Sequence, residues 1–334
     1  MENFIRRLTT VLFAALLAWP LYGNAANETH SDIRVASPWP AQNTIIAMLG
    51  YGPNIVGTSE IAKRIPLFRQ IYPGIEKVPV IGVNSAHEIN PEQVIALNAQ
   101  LLIIPANMHL SQPELLSQAG VKTLELKANS MDALRERVSL TAQALGPSAQ
   151  VINDRYQHYF DRNIALIKQR LNGLSESEQV TLYHSMGSPL TTSGRPSLNQ
   201  DWMDLAGARN VAEHWFGVKR NNMGEVPLEK VIASNPEAIV AMNRRDADEI
   251  MHSPAWQAVS AVKQHRVYVN PQGMFWWCRE TSEEAIQILW LAKTLYPTRF
   301  TDIDMAKETH DFYSQFFGVD LSSQQVEDIL NPES

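Results

Sequence analysis

The phrase "EQVIALNAQLLII", Glu92–Ile104, is written a second time as "EKVIASNPEAIVA", Glu229–Ala241, 137 residues further along the chain. Both copies read Glu-x-Val-Ile-Ala-x-Asn and close on an apolar run. The first half of each fits a short helix, and the run fits a strand buried on both faces, so one helix–strand unit is used twice. A second echo supports this: "GPNIVGTS", Gly52–Ser59, has a counterpart in "ARNVAEHW", Ala208–Trp215. With 334 residues, 45% of them hydrophobic, the chain is long enough for two cores. One copy per lobe follows.

The segments around the first copy alternate strand and helix. "DIRVASP" reads as a strand stopped at Pro38, "AQNTIIAMLGYG" as a helix closed by Gly50 and Gly52, and "NIVGTS", "KVPVIG" and "QLLIIPA" as further strands. The helix "NPEQVIALN" opens with Asn90 as N-cap and Pro91 at its first position. After the midpoint the same grammar returns: "QVTLYHSM", "PEAIVAMN" and "HRVYVNP" are strands, "LNQDWMDLAG" is a helix capped by Asn199, and "TSEEAIQILWLAKTLYP" is one capped by Thr281. Such alternation predicts α/β lobes of Rossmann-like build with mostly parallel sheets.

Between the copies, Pro147–Leu171 runs without internal Gly or Pro and carries Val151, Tyr156, Tyr159, Phe160, Ile164, Ile167 and Leu171 at helical spacing. It predicts one long, rigid helix joining the two lobes. The expected division is a leader over residues 1–25, a first lobe over 26–146, the connecting helix over 147–173 and a second lobe over 174–334.

The leader is read from "MENFIRR", a basic start, then "LTTVLFAALLAWPLYG", an apolar stretch broken by Pro20, then small residues Gly23 and Ala25 where a signal peptidase cuts. Export with cleavage after Ala25 or Ala26 is expected, because the apolar stretch is short for a membrane-spanning anchor. The single cysteine, Cys278, lies far from this leader, so neither an internal disulfide nor a lipid-modified N-terminal cysteine is available. The expectation is a periplasmic, unanchored monomer. With 35 acidic against 28 basic residues, the chain lacks the basic footprint of a nucleic-acid binder.

Catalytic signatures are sparse. "YHSMGS", Tyr183–Ser188, is superficially similar to the G-x-S-x-G nucleophile turn, but Tyr183 occupies the first glycine position. Neither a dinucleotide-binding glycine motif nor a P-loop occurs. A serine hydrolase is the different-class alternative, and no enzymatic activity is expected.

The order and spacing of "SPAWQAVSAVKQHRVYVNP", of a helix ending "LAKTLYPTRF", of the two Glu-x-Val-Ile-Ala phrases and of the long helix resemble one family across Arg34–Phe300. It is the helical-backbone class of ABC-importer binding proteins, which are receptors for iron–siderophore complexes, haem, cobalamin and, in some branches, molybdate or nickel chelates. The resemblance implies a ligand cleft between the two lobes, a cargo of chelated transition metal, iron–siderophore-type before molybdate or nickel chelate, and no resident cofactor. It also implies a permease dimer with cytoplasmic ATPase subunits as partner. Glu92 and Glu229 match the positions of the family's docking carboxylates, although a first-turn Glu also complements a helix dipole by itself.

Ligand residues are sought in loops at the carboxyl ends of parallel strands. In the first lobe these hold Trp39, Asn84, Asn107, Met108 and His109; in the second, Tyr183, His184, Met186, Asn243, Arg244, Phe275, Trp276, Trp277 and Arg279. An aromatic cleft with few positive charges suits stacking on a bulky chelate. His109, Tyr183 and His184 are of types able to complete a metal's coordination. A naked oxyanion would rest instead on helix N-termini after Ser37 and near Asn199.

Overall fold

Leu101, Leu102, Ile103 and Ile104 are all essentially buried, and they alternate between two apolar clusters. Leu101 and Ile103 join the large central core, while Leu102 and Ile104 pack with Ala36, Ile89 and Val94 on the other face. A strand covered on both faces reads as a continuous apolar run. Each such side chain contributes roughly 1.5–3 kcal/mol of burial. The computed structural model, which describes residues 32–82, 88–217 and 222–333, places this run in a parallel sheet.

That sheet contains β1 (Val35–Ala36), β2 (Ile55–Gly57), β3 (Leu101–Pro105) and β4 (Lys122–Leu126), in the order β2-β1-β3-β4. A second sheet contains β5 (Thr181–Ser185), β6 (Arg209–Asn210), β7 (Ala238–Ala241) and β8 (Val267–Val269), in the order β6-β5-β7-β8. All pairings within both are parallel. Each sheet therefore reads second, first, third, fourth, and the doubled phrase occupies the same place in both. Helix α2 (Pro91–Ala96) leads into β3 as α6 (Leu228–Ser234) leads into β7. Asn90 caps α2 by accepting the Glu92 N–H at 2.9 Å.

Further helices are α1 (Pro40–Ile46), α3 (Met131–Leu145), α4 (Pro147–Arg170), α5 (Leu198–Leu205), α7 (Arg244–His252), α8 (Glu284–Leu295), α9 (Met305–Phe317) and α10 (Ser323–Leu330). The expected long helix is α4, 24 residues, entered through Gly146 at φ 120° and Pro147. Its Tyr156 hydroxyl donates to the Ser282 carbonyl at 2.9 Å, and Asn163 Nδ2 donates to the Ala285 carbonyl at 2.7 Å. These bonds tie the spine to the start of α8. Helix α9 returns to the spine, setting Phe312 against Tyr159 and Phe316 against Tyr156, with ring centroids 5.4 and 5.9 Å apart. Both sheets and α4 lie in one compact unit, Ser31–Ser334. No helix among the described residues is long and apolar enough to span a membrane.

Several local readings shift. Ser197, not Asn199, caps α5, because its hydroxyl accepts the Gln200 N–H and leaves Asn199 inside the first turn. Thr281 does not cap α8; its hydroxyl is engaged by Thr44 and Glu283, and the helix begins at Glu284. "KVPVIG" forms only a bridge, Thr58 to Val80, since Pro79 has no N–H to extend a ladder. The helix of "AQNTIIAMLGYG" widens into a π turn at Ala47–Tyr51, with Gly50 at φ 89°. The leader and Asn84 lie outside the described residues.

Candidate functional site

Strand β1 ends in Ser37-Pro38-Trp39. Ser37 Oγ donates to the Ile103 carbonyl at 2.8 Å, fixing this end of the strand to β3. Trp39 occupies the N-cap position of α1 without capping it. Its indole Nε1–H crosses instead to the second lobe and donates to Glu280 Oε2 at 3.2 Å. The Arg137 guanidinium lies over the same indole, 4.1 Å from the ring centroid, a cation–π arrangement.

Arg137 comes from α3 and is 1% exposed; its Nη2 donates to the Glu280 carbonyl, while Nε and Nη1 have no partner among the described residues. Burial lowers its pKa to about 10, opposed by the Glu280 and Glu284 carboxylates, so it keeps its charge at neutral pH. A buried cation with two unused N–H groups is costly unless something accepts from them.

The second lobe supplies Arg279 and Glu280 from the segment joining β8 to α8. Glu283 organises that segment. One of its carboxylate oxygens accepts the Met274 N–H at 2.6 Å and the Tyr313 hydroxyl; the other accepts the Phe275 N–H at 3.1 Å and the Thr281 hydroxyl at 2.8 Å. Burial raises this carboxyl to about 7. A β-carbon at Gly273 would collide with the Tyr313 hydroxyl and Glu283, so only glycine fits that turn. Glu280 itself has φ 58° and donates its N–H to Glu284 Oε1 at 2.8 Å.

His184, at the end of β5, is fully buried with its ring 5.0 Å from that of Trp202, edge to face, and neither ring nitrogen finds a partner among the described residues. Burial first, and Arg279 second, depress its pKa to about 3. It is a neutral imidazole offering one N–H and one lone pair. Arg279 Nη1 reaches Met242 Sδ at 3.6 Å, and Asn199 Nδ2 reaches Met186 Sδ at 3.2 Å. Trp39 and Arg137 of the first lobe meet Glu280 of the second in one seam, and Arg279, next to Glu280 in the chain, acts on His184.

Other expected site residues lie elsewhere. Tyr183 is buried with Trp215 and Trp256, and its hydroxyl donates to the Pro189 carbonyl at 3.0 Å. Successive strand residues face opposite ways, so Tyr183 and His184 do not share a site. Trp277 is buried with Nε1 donating to Tyr313, and Phe275 packs in the central core. Trp276 is half-buried, edge-on to Phe275 at 5.0 Å, with Nε1 unpartnered among the described residues. Asn107 is exposed, and Met108 packs on the outer first-lobe cluster. His109 is exposed, 3.7 Å from Glu88. Arg244 donates to the Pro332 carbonyl and lines a surface cavity with Tyr268, Trp290 and Lys293.

Thus His109, Tyr183 and His184 do not converge as a coordination set. Cys278 is buried, its thiol pushed up to about 12, far from a reactive thiolate. Ser185 Oγ donates to the Ser188 carbonyl at 3.2 Å. Arg137 and Glu280 were not anticipated. Arg137 had a readable signal: it shares the apolar stripe of α3 with Leu134, Val138, Thr141 and Leu145.

Residues 35–273 match the periplasmic binding protein family. The molybdate-binding protein MolA of Haemophilus influenzae is 30% identical over 315 residues, covering 86% of this chain and 84% of MolA. A periplasmic solute-binding protein of Veillonella parvula superposes with TM-score 0.77 at 22% identity, over 89% of this chain and 91% of that one. Helicobacter pylori CeuE, solved with Ni(II) bound, gives 0.70 at 18%, over 89% and 94%. The chain belongs to the periplasmic binding protein family: it is a solute-binding component of an ABC transporter, not an enzyme.

Proposed function

We propose that this protein captures a small tetrahedral oxyanion of the molybdate class in the seam between its lobes and delivers it to an inner-membrane permease. The observation that carries this reading is Arg137, a fully buried guanidinium with two N–H groups unpartnered among the described residues. Buried donors are nearly always satisfied, and an oxyanion supplies acceptors and charge together. Arg279, Trp39 Nε1 and a neutral His184 extend the donor set. The 30%-identical relative named for molybdate supports the same class.

An iron–siderophore-type chelate is the weaker reading for this seam. Its stacking would need broad aromatic faces, whereas Tyr183, Phe275 and Trp277 are committed to the core and Trp39 is 7% exposed beneath Arg137 and Glu280. Export through a cleaved leader, without a lipid anchor, and function as a monomer complete the proposal. Glu92 and Glu229 are both exposed in first helical turns and are proposed to meet basic pockets of the permease.

Calorimetric titration of the purified protein with molybdate, tungstate, sulfate, Ni(II)–histidine and a ferric siderophore tests the ligand class. Saturable binding of molybdate and tungstate is expected, with sulfate weaker. Tight binding of the ferric or nickel chelate, with silence toward molybdate, would overturn it.

A further inference from the structure

A seam made of cations and N–H donors also holds two acidic residues, the wrong sign for an oxyanion site: Glu284, fully buried, and Glu280. Glu280 is partly exposed, yet three contacts reach it from within: its N–H donates to Glu284 Oε1 at 2.8 Å, its carbonyl accepts from Arg137, and its Oε2 accepts from Trp39 Nε1 at 3.2 Å. Its backbone at φ 58° lies in the left-handed region, which a side chain makes costly and glycine adopts freely. A glutamate here is thus not chosen for the turn. What the side chain adds is an anion placed on the indole N–H, beside the guanidinium stacked on the same ring.

A carboxylate oxygen and an oxyanion oxygen accept from the same donors with similar geometry. Arg137, with Nε and Nη1 still unpartnered, is only partly compensated by Glu280, leaving capacity for a second anion. We propose, resting on the oxyanion reading, that the Glu280 carboxylate is an internal counter-anion. It holds Trp39 and balances Arg137 while the site is empty, and an entering tetrahedral dianion displaces it from the indole. A ligand binds only by the margin with which it outcompetes this tethered anion, so Glu280 sets the affinity threshold of the site.

The test compares the wild-type protein with Glu280→Gln and Glu280→Gly, each titrated calorimetrically with sodium molybdate and with Ni(II)–histidine, with near-ultraviolet circular dichroism and melting curves recorded in parallel. Both variants are expected to bind molybdate at least about tenfold more tightly than wild type. Glu280→Gly suits the φ 58° backbone already present, which offsets part of what the lost carboxylate costs Trp39 and Arg137, and it carries the test should Glu280→Gln fold poorly. Wild-type binding of molybdate with equal or weaker binding by the variants would overturn the counter-anion and leave the oxyanion reading standing. A silent wild type with binding variants would uphold the counter-anion and remove molybdate as the natural ligand. Silence of all three overturns both. Loss by the variants of Ni(II)–histidine binding that wild type shows would overturn the inference, because Glu280 would then be present to meet a cation.

Discussion

Arg137 is the side chain whose removal separates stability from function. Replaced by Met, it keeps its bulk against Trp39 and loses a buried, incompletely paired charge, a gain opposed by the Glu280 carbonyl left without its donor. The expected outcome for Arg137→Met is a melting temperature near wild type together with at least about a hundredfold loss of molybdate affinity, from two charge-assisted hydrogen bonds of ~1.5–3 kcal/mol each. Thermal melts and calorimetry on the same preparation check both halves. His184 gives a second outcome. Its folded-state pKa, near 3, lies below its ordinary value of 6.5, so its contribution to stability is complete above pH 6.5 and is lost as pH falls from 6.5 toward 3. The difference in unfolding free energy between wild type and His184→Leu should therefore shift against wild type by up to ~1.4 kcal/mol per pH unit over that window. Urea titrations at pH 7, 6, 5 and 4 measure it; a difference that stays constant with pH contradicts it. At this scale the sequence was only partly legible. Trp39 and His184 sit at strand ends and Arg279 in the segment that follows β8, where position alone nominates them, but Arg137 acts from mid-helix and Glu280 through a backbone conformation that no motif announces.

Among the elements, the spine helix α4 and the segment entering α8 fix the seam. The Tyr156 hydroxyl satisfies the buried Ser282 carbonyl, two residues from Glu280, so Tyr156→Phe leaves that carbonyl without a partner at nearly unchanged volume. A loss of about 1–3 kcal/mol in stability is expected, readable by denaturant unfolding. An unchanged midpoint would mean that the spine does not brace the seam. The fold was legible here because its evidence is written in bulk patterns. Runs such as Leu101–Ile104 must be buried on both faces, and the uninterrupted stretch after Pro147 has only one regular form open to it. What failed to read through were competitions between neighbouring polar groups. Ser197 and Asn199 both suit a cap, and the choice went to the residue whose hydroxyl meets the Gln200 N–H. Trp277, Phe275 and Tyr183 look alike in a core and in a cleft, and only the tertiary partners Tyr313 and Pro189 decide which.

For the whole molecule, the identical strand order of the two sheets makes the two Glu-first helices equivalent, one per lobe. Neither Glu92 nor Glu229 has an ion pair among the described residues, so removing either carboxylate should cost less than about 1 kcal/mol. Glu92→Ala and Glu229→Ala are each expected to slow uptake in cells while soluble affinity stays constant, with the double variant slower still and charge reversal to Lys worse than Ala. Normal uptake by the double variant at normal abundance would leave the repeat as a mark of duplication alone. The central claim, that the seam between the lobes receives an oxyanion at Arg137, is tested most directly by crystals grown with molybdate and an anomalous difference map at the molybdenum edge. One strong peak within hydrogen-bond reach of the Arg137 guanidinium and Trp39 Nε1, with the Glu280 carboxylate turned away from the indole, is the predicted result; a peak remote from Arg137, or none at saturating molybdate, would contradict it.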